Sequence, residues 1–222
     1  MRASHGTVQF NYTLKYDEHN ILCYYESMNS KFLGKKAQSH QRILEAASRK
    51  VRRSSFHGVG VADVMKEAGL THGGFYSHFE SRDALLAEAL VHASRTIGDA
   101  INASVRSLAQ HGQSTFRAFV ETYLSDAHMS DCENGCPVAA LCSEMPNQST
   151  DVIDSSRLIV ANLYKLVQQA LPAGSGAKVI WTVTGTLIGA MQLARALGNN
   201  SQGKEVLAAA RSELIARYDS QH

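Results

Sequence analysis

Between Leu85 and Leu108 the apolar residues Leu85, Leu86, Ala89, Leu90, Ala93, Ile97, Ile101, Val105 and Leu108 return at three- and four-residue steps. That spacing keeps one face of an α-helix apolar for several turns, whereas a strand would need alternation. A stripe this long must be covered by other helices, so the chain reads as all-α. The prolines agree, because Pro137, Pro146 and Pro172 are the only three in 222 residues and leave long stretches free to be helical. Ser81 stands ahead of the stripe as an N-cap, with Asp83 in the first turn.

The same periodicity marks the other elements. Ile43, Leu44, Ala47 and Val51 predict a helix from Lys36 to about Ser54, broken by Gly58-Val59-Gly60. Val61, Val64, Met65 and Ala68 predict a short helix stopped by Gly69, and Thr71 reads as the N-cap of another, His72 to about Phe79. Further helices are expected over 114–129, from Pro137, and over 149–171, 175–197 and 202–219, the last two parted by Gly198-Asn199-Asn200. The result is about nine helices with no strand after residue 30. Residues 1–30 differ, since Val8, Phe10, Tyr12, Leu14 and Tyr16 alternate with polar residues. They predict either a hairpin with Ile21–Tyr25 or a loose extension, with Met28 as an alternative start.

Composition narrows the class. At 44% hydrophobic and 19% charged residues the chain is globular, and it has no run of 18 apolar residues. The start lacks the basic and apolar regions of a secretion signal, and Cys23, Cys132, Cys136 and Cys142 are too few for a disulfide framework. A reducing cytoplasm is the expected location. The net charge of +2 conceals an asymmetry: between Lys31 and His57 eight basic residues stand against Glu45 alone, which leaves the remainder at −5. A basic head for a polyanion, on a mildly acidic body, is the implication.

Two short helices joined by a glycine turn between residues 61 and 79 form the pattern of a helix-turn-helix. The second helix of such a pair lies in the major groove with its N-terminal residues toward the bases. Gly73 and Gly74 stand there, where helix propensity disfavours each by about 1 kcal/mol relative to alanine, so a close-approach role is the natural reason for them. The stretch GVGVADVMKEAGLTHGGFYSHFESRDALLAEAL, ending its motif in Tyr76-Ser77-His78-Phe79, resembles the DNA-binding domain of the TetR family of transcriptional regulators, and the similarity runs from about Gln41 to Leu90.

That resemblance implies roles. Thr71, His72, Gly73 and Gly74 would face DNA, Tyr76 a base edge or phosphate, and His78 a phosphate, while Arg82 would clamp the backbone. Phe75 and Phe79 would be core, and Arg42 is the DNA-facing candidate from the basic run. Family members often carry lysine where His72 stands and a hydroxyl residue near Gly60. The division expected is an extension over 1–34, a helix-turn-helix domain over 35–82, and an effector-binding and dimerisation domain over 83–222.

In that body Phe119, Tyr123, Met129, Cys136, Leu141, Met145, Leu163, Trp181 and Met191 are the candidates to line a pocket for a small-molecule effector. Gly185 and Gly189, with Val206, Ala209, Ala210 and Leu214, suggest a four-helix interface in a homodimer reading a palindromic operator. Cys136, ahead of Pro137, suggests a thiol switch as an alternative sensing mode. The spacing of His128, Cys132, Cys136 and Cys142 departs from structural zinc sites, so no metal is expected. No nucleophile elbow, P-loop, dinucleotide fingerprint or H-E-x-x-H occurs, which speaks against an enzyme and against a cofactor. A helical interaction module without DNA binding is the remaining alternative, and it leaves the basic head and paired glycines without a purpose. The usual family behaviour implies repression relieved when the effector binds.

Overall fold

The computed structural model describes residues 34–219. Among these are nine α-helices, two short 3-10 segments and no strand. The hairpin expected within residues 1–30 lies outside the described residues. The chain divides into units 1–38 and 39–222. Of the first, residues 34–38 are described, and there Gln38 donates its backbone N–H to the Gly34 carbonyl at 3.1 Å.

Helix α1, Lys35–Ser54, buries Ile43, Leu44, Ala47 and Val51, the stripe read from the sequence. It ends where Ser55 turns left-handed, at φ 66°. Helix α2, Val61–Glu67, closes on Gly69 at φ 69°. Gly69 donates to the Lys66 carbonyl and Leu70 to that of Met65, at 3.0 and 2.9 Å. This paired closure requires a residue at ease with positive φ, which is why glycine stands there.

The following segment, His72–Ser77, is a 3-10 turn of six residues, and the Thr71 side chain makes no capping bond to it. An α-helix capped by Thr71 was the expectation. Paired glycines weaken α-helical propensity, and a 3-10 turn suits so short a piece. Helix α3, Arg82–Gln110, is capped as expected, the Ser81 hydroxyl accepting from the Ala84 N–H at 3.0 Å. At about 1.5 Å per residue its 29 residues span roughly 43 Å.

The single helix expected over 114–129 is two. Helix α4, Thr115–Tyr123, stops at Leu124, and Ser125 caps α5, Asp126–Ser130, by accepting from the His128 N–H at 3.1 Å. Side chains take the carbonyls freed at the break: the His128 ring bonds that of Tyr123 at 2.6 Å, and Arg211 donates to that of Leu124. Helix α6, Pro137–Leu141, and the 3-10 turn Met145–Asn147 lead to α7, Thr150–Ala170. Helices α8, Ala177–Leu197, and α9, Ser201–Tyr218, complete the described chain. Helix α3 packs on α4 and α7, and α8 on α9. One continuous core results, running from Ile43 in α1 to Leu214 in α9.

Candidate nucleic-acid interface and regulatory body

Two phenylalanines fix the recognition segment. Phe75 and Phe79 are buried and stack with ring centroids 5.7 Å apart, and Tyr76 and Ser77 between them turn outward. Tyr76 is 76% exposed, far beyond what an aromatic side chain gains from packing, and Thr71, His72 and Gly73 are exposed beside it. A methyl group on Gly73 would meet nothing within 4 Å, and neither Gly73 nor Gly74 has positive φ. The fold itself therefore does not demand glycine at 73.

His78 is half-buried and leans on His40, at 5.9 Å between ring centroids. The His40 ring stacks on Phe79 at 4.5 Å and bonds Glu88 at 3.0 Å. Arg42 is exposed, donates to the Ser39 hydroxyl at 3.3 Å, and reaches the turn at Gly69, where an added methyl would lie 3.6 Å from its Nη1. Arg82 is turned largely inward. Its Nε donates to the Val59 carbonyl at 3.0 Å and its Nη2 to that of Phe56, so it braces the loop between α1 and α2.

Much of the basic run is also paired within the chain. Arg49 pairs with Glu67 at 2.9 Å, Lys50 with Asp63 at 2.9 Å and Arg53 with Glu133 at 2.7 Å. The Lys50 ammonium, by hydrogen bond and charge, holds the exposed Asp63 carboxyl below its ordinary range. Arg52 is buried and donates to the Ser48 and Gly135 carbonyls, both at 2.9 Å. Burial pulls its pKa down to about 10, against the opposing pull of Asp131, so it stays charged near neutral pH. Half of the eight basic residues thus hold helices together, and the charge run overstates what the head offers a polyanion.

In the body the effector candidates separate into two groups. Phe119, Tyr123, Met129, Cys136, Leu141 and Met191 are each at most 3% exposed, and Leu163 is 4% exposed, which makes them core. Met145 and Trp181 instead line a cleft of about 710 Å³ on the outer side of α7. The sequence reading missed its wall, Ile153, Val160 and Tyr164 of α7. The signal was there: α7 carries a second apolar stripe besides the buried Val152, Ile159, Leu163 and Val167.

Cys136 is buried, and its N–H donates to His128 Nε2 at 2.9 Å, so the helix-start amide is already occupied. That burial removes the accessible thiol a switch at Cys136 needs. Both ring nitrogens of His128 are engaged by backbone, Nε2 by Cys136 and Nδ1 by the Tyr123 carbonyl. The Tyr123 hydroxyl lies against the Cys136 thiol, makes no well-formed hydrogen bond, and is pushed well above its ordinary pKa by burial. Tyr123→Phe therefore leaves stability unchanged or raises it by up to about 1 kcal/mol, as expected for removing an unsatisfied buried hydroxyl. Urea unfolding checks this, and a clear loss of stability would mean the hydroxyl is bonded.

On α8, Gly185 is exposed and Gly189 half-exposed, and a methyl on either meets open space. Trp181, Leu193 and Leu197 are exposed along the same helix. Val206 and Ala210 are half-buried and Ala209 exposed, whereas Leu214 is 2% exposed and belongs to the protomer core. Among the described residues no helix is long and apolar enough to cross a membrane.

A fixed pair of short helical elements, an outward aromatic and a bare glycine start define a helix-turn-helix DNA-binding protein on a helical body. Residues 43–89 match the model of the bacterial regulatory proteins of the tetR family. That match covers the helix-turn-helix segment, which is similar to the DNA-binding part of those transcriptional regulators. Over 166 residues it is 25% identical to an HTH-type transcriptional regulator of Mycobacterium tuberculosis (strain ATCC 25618 / H37Rv), covering 70% of this chain and 83% of that protein. Its fold is that of Escherichia coli NemR in the reduced form, with a TM-score of 0.66, 18% identity, and coverage of 80% of this chain and 95% of the other. A TetR-family regulator from Cytophaga hutchinsonii is similar at a TM-score of 0.67 and 17% identity, covering 85% and 99%.

Proposed function

We propose that the chain is a homodimeric repressor that sits on a palindromic operator and leaves it when a small molecule binds the body. Residues 35–82 form the DNA-reading head in this account, and 83–222 the regulatory and dimerising body. The observation that carries it is Gly73, a glycine that the fold does not require, at the exposed start of the recognition segment beside the outward Tyr76. A bare backbone there lets amides come within bonding distance of a phosphate. Thr71, His72 and Tyr76 are exposed there with Gly74 half-exposed, and Arg42, exposed near Gly69, and half-buried His78 are further candidates. Arg82 acts through the loop it braces.

The open stripe at Gly185 and Gly189, continued by Val206 and Ala210, suits close packing against a second copy. Two heads related by a two-fold axis then meet successive major grooves about 34–36 Å apart. An effector that binds one arrangement of the heads better than the other shifts the balance toward release.

A mobility shift on the chain's own upstream DNA tests this. Tyr76→Ala and Gly73→Ala each weaken operator binding about tenfold, the worth of one good contact near 1.4 kcal/mol. Gly73→Ala keeps the melting temperature of the wild type or raises it, since helix propensity favours alanine and the site is open. Binding unchanged in both variants would place the recognition surface elsewhere.

A further inference from the structure

The cleft outside α7 has features that point to the chemistry of its occupant. Its wall is apolar and aromatic, with Tyr164 and Trp181 meeting at 4.7 Å between ring centroids, tilted by 48°. Arg157 and Lys165 also line it, and among the described residues no carboxylate does. Arg157 holds Asp154 at 2.7 Å, yet both are largely exposed, so that pair is screened by solvent and competes weakly with a ligand. Two cations in a cleft that also holds aromatic rings favour a flat apolar body carrying a negative group. The volume of about 710 Å³ lies in the range of small-molecule sites, roughly 300–1,000 Å³.

The same cleft touches the head through one short turn. Cys142 and Met145 line it, and Glu144, between them in sequence, accepts a hydrogen bond from the Ser55 hydroxyl. Ser55 ends α1 in a left-handed conformation, φ 66°, which only a few non-glycine residues adopt without a local reason. The bond to Glu144 supplies that reason. A strained residue held by one bond is a point where a small displacement of the turn is passed on to a helix.

We infer that this cleft binds an organic acid with a flat apolar body, and that its occupancy is passed to the DNA-reading head through the Glu144–Ser55 bond. The inference rests on the reading of the chain as an effector-controlled regulator.

The test uses the full chain and 2-naphthoate as the probe, with 2-naphthylmethanol and 2-naphthylmethylamine as uncharged and cationic counterparts. Calorimetry shows binding of the carboxylate and at least tenfold weaker binding of the other two. Lys165→Gln and Trp181→Ala, both at exposed or rim positions, each weaken naphthoate about tenfold, as expected for one charge-assisted or one aromatic contact. In a mobility shift naphthoate releases wild-type protein from its operator. Ser55→Gly, which tolerates the same backbone angle, and Glu144→Gln bind naphthoate as the wild type does and lose most of that release.

Equal affinity for all three probes overturns the ligand class, and full release in both Ser55→Gly and Glu144→Gln overturns the route. Naphthoate affinity that falls as dimer content rises in sedimentation would give the cleft to a second copy of the chain, and that too overturns the inference. A protein that shifts its operator but takes up no naphthoate defeats this inference alone. One that shifts no operator with or without naphthoate defeats the regulator reading beneath it as well.

Discussion

Gly203→Ala lowers stability by about 2 kcal/mol, seen in thermal unfolding as a fall in Tm of roughly 4–8 °C for a chain of this size. The cause is the corner between α8 and α9. Asn200 caps α9 by accepting from the N–H groups of Gln202 and Gly203 at 3.0 and 3.1 Å, which draws the helix start down onto the end of α8. A methyl on Gly203 would lie 2.2 Å from the Gly198 carbonyl oxygen and 2.8 Å from that of Ala194. These are backbone atoms, so a rotamer change cannot relieve the clash. Overpacking of this kind costs about 3 kcal/mol at the upper end of its usual range, and alanine's better helix propensity returns about 1. Gly185→Ala is the matched control on the preceding helix. Its added methyl meets open space, and its Tm stays level or rises. A Gly203→Ala protein as stable as Gly185→Ala would mean that the corner can open without loss.

The contrast between these glycines shows where sequence reading succeeds and where it stops. Helix order was legible because periodicity is local: α3 announced itself through Leu85–Leu108, and α1 through Ile43, Leu44, Ala47 and Val51. The stop at Gly69 was legible for the same reason, since one turn decides it. The break at Leu124–Ser125 was not. Arg211, 87 residues away, takes the Leu124 carbonyl, and that partner is invisible to a window on the sequence.

The candidate sites divide in the same way. Within the recognition segment, outward Tyr76 and inward Phe75 and Phe79 stand as the motif implied. Residue type alone does not separate a pocket from a core, because cores use the same methionines and aromatics: Phe119, Tyr123 and Met191 lie inside, while Tyr164 lines the cleft. Lys50 and Arg49 add to the basic run in the sequence, and the structure brings Asp63 and Glu67 beside them. Charge along a sequence gives no account of the partner that arrives from another helix.

Lowering the pH from 7 to about 4 removes roughly 3 kcal/mol of stability through His128 alone. Burial is the main cause of its pKa falling from 6.5 to about 4, and the nearby Arg195 and Arg52 cations add to it. The Tyr123 carbonyl and Asp131 oppose the shift without cancelling it. Above pH 6.5 the imidazole is neutral in both folded and unfolded chains, and there is no penalty. Between pH 6.5 and 4 the unfolded chain takes up a proton that the folded chain refuses, so stability falls as pH falls, by up to about 1.4 kcal/mol per pH unit. His92, lowered chiefly by burial, acts with the same sign. Asp63 acts below this window, because its depressed carboxyl matters only as pH falls past 3.8. Urea unfolding at pH 7, 6, 5 and 4.5 measures the slope, and His128→Gln flattens it while leaving the helical content unchanged. The position matters beyond stability. His128 orders the loop whose Gly135 carbonyl holds Arg52 of α1, so a protonated ring at 128 loosens the body beneath the head. Equal pH slopes in wild type and His128→Gln would assign the acid sensitivity to other groups and leave that loop without its titrating anchor.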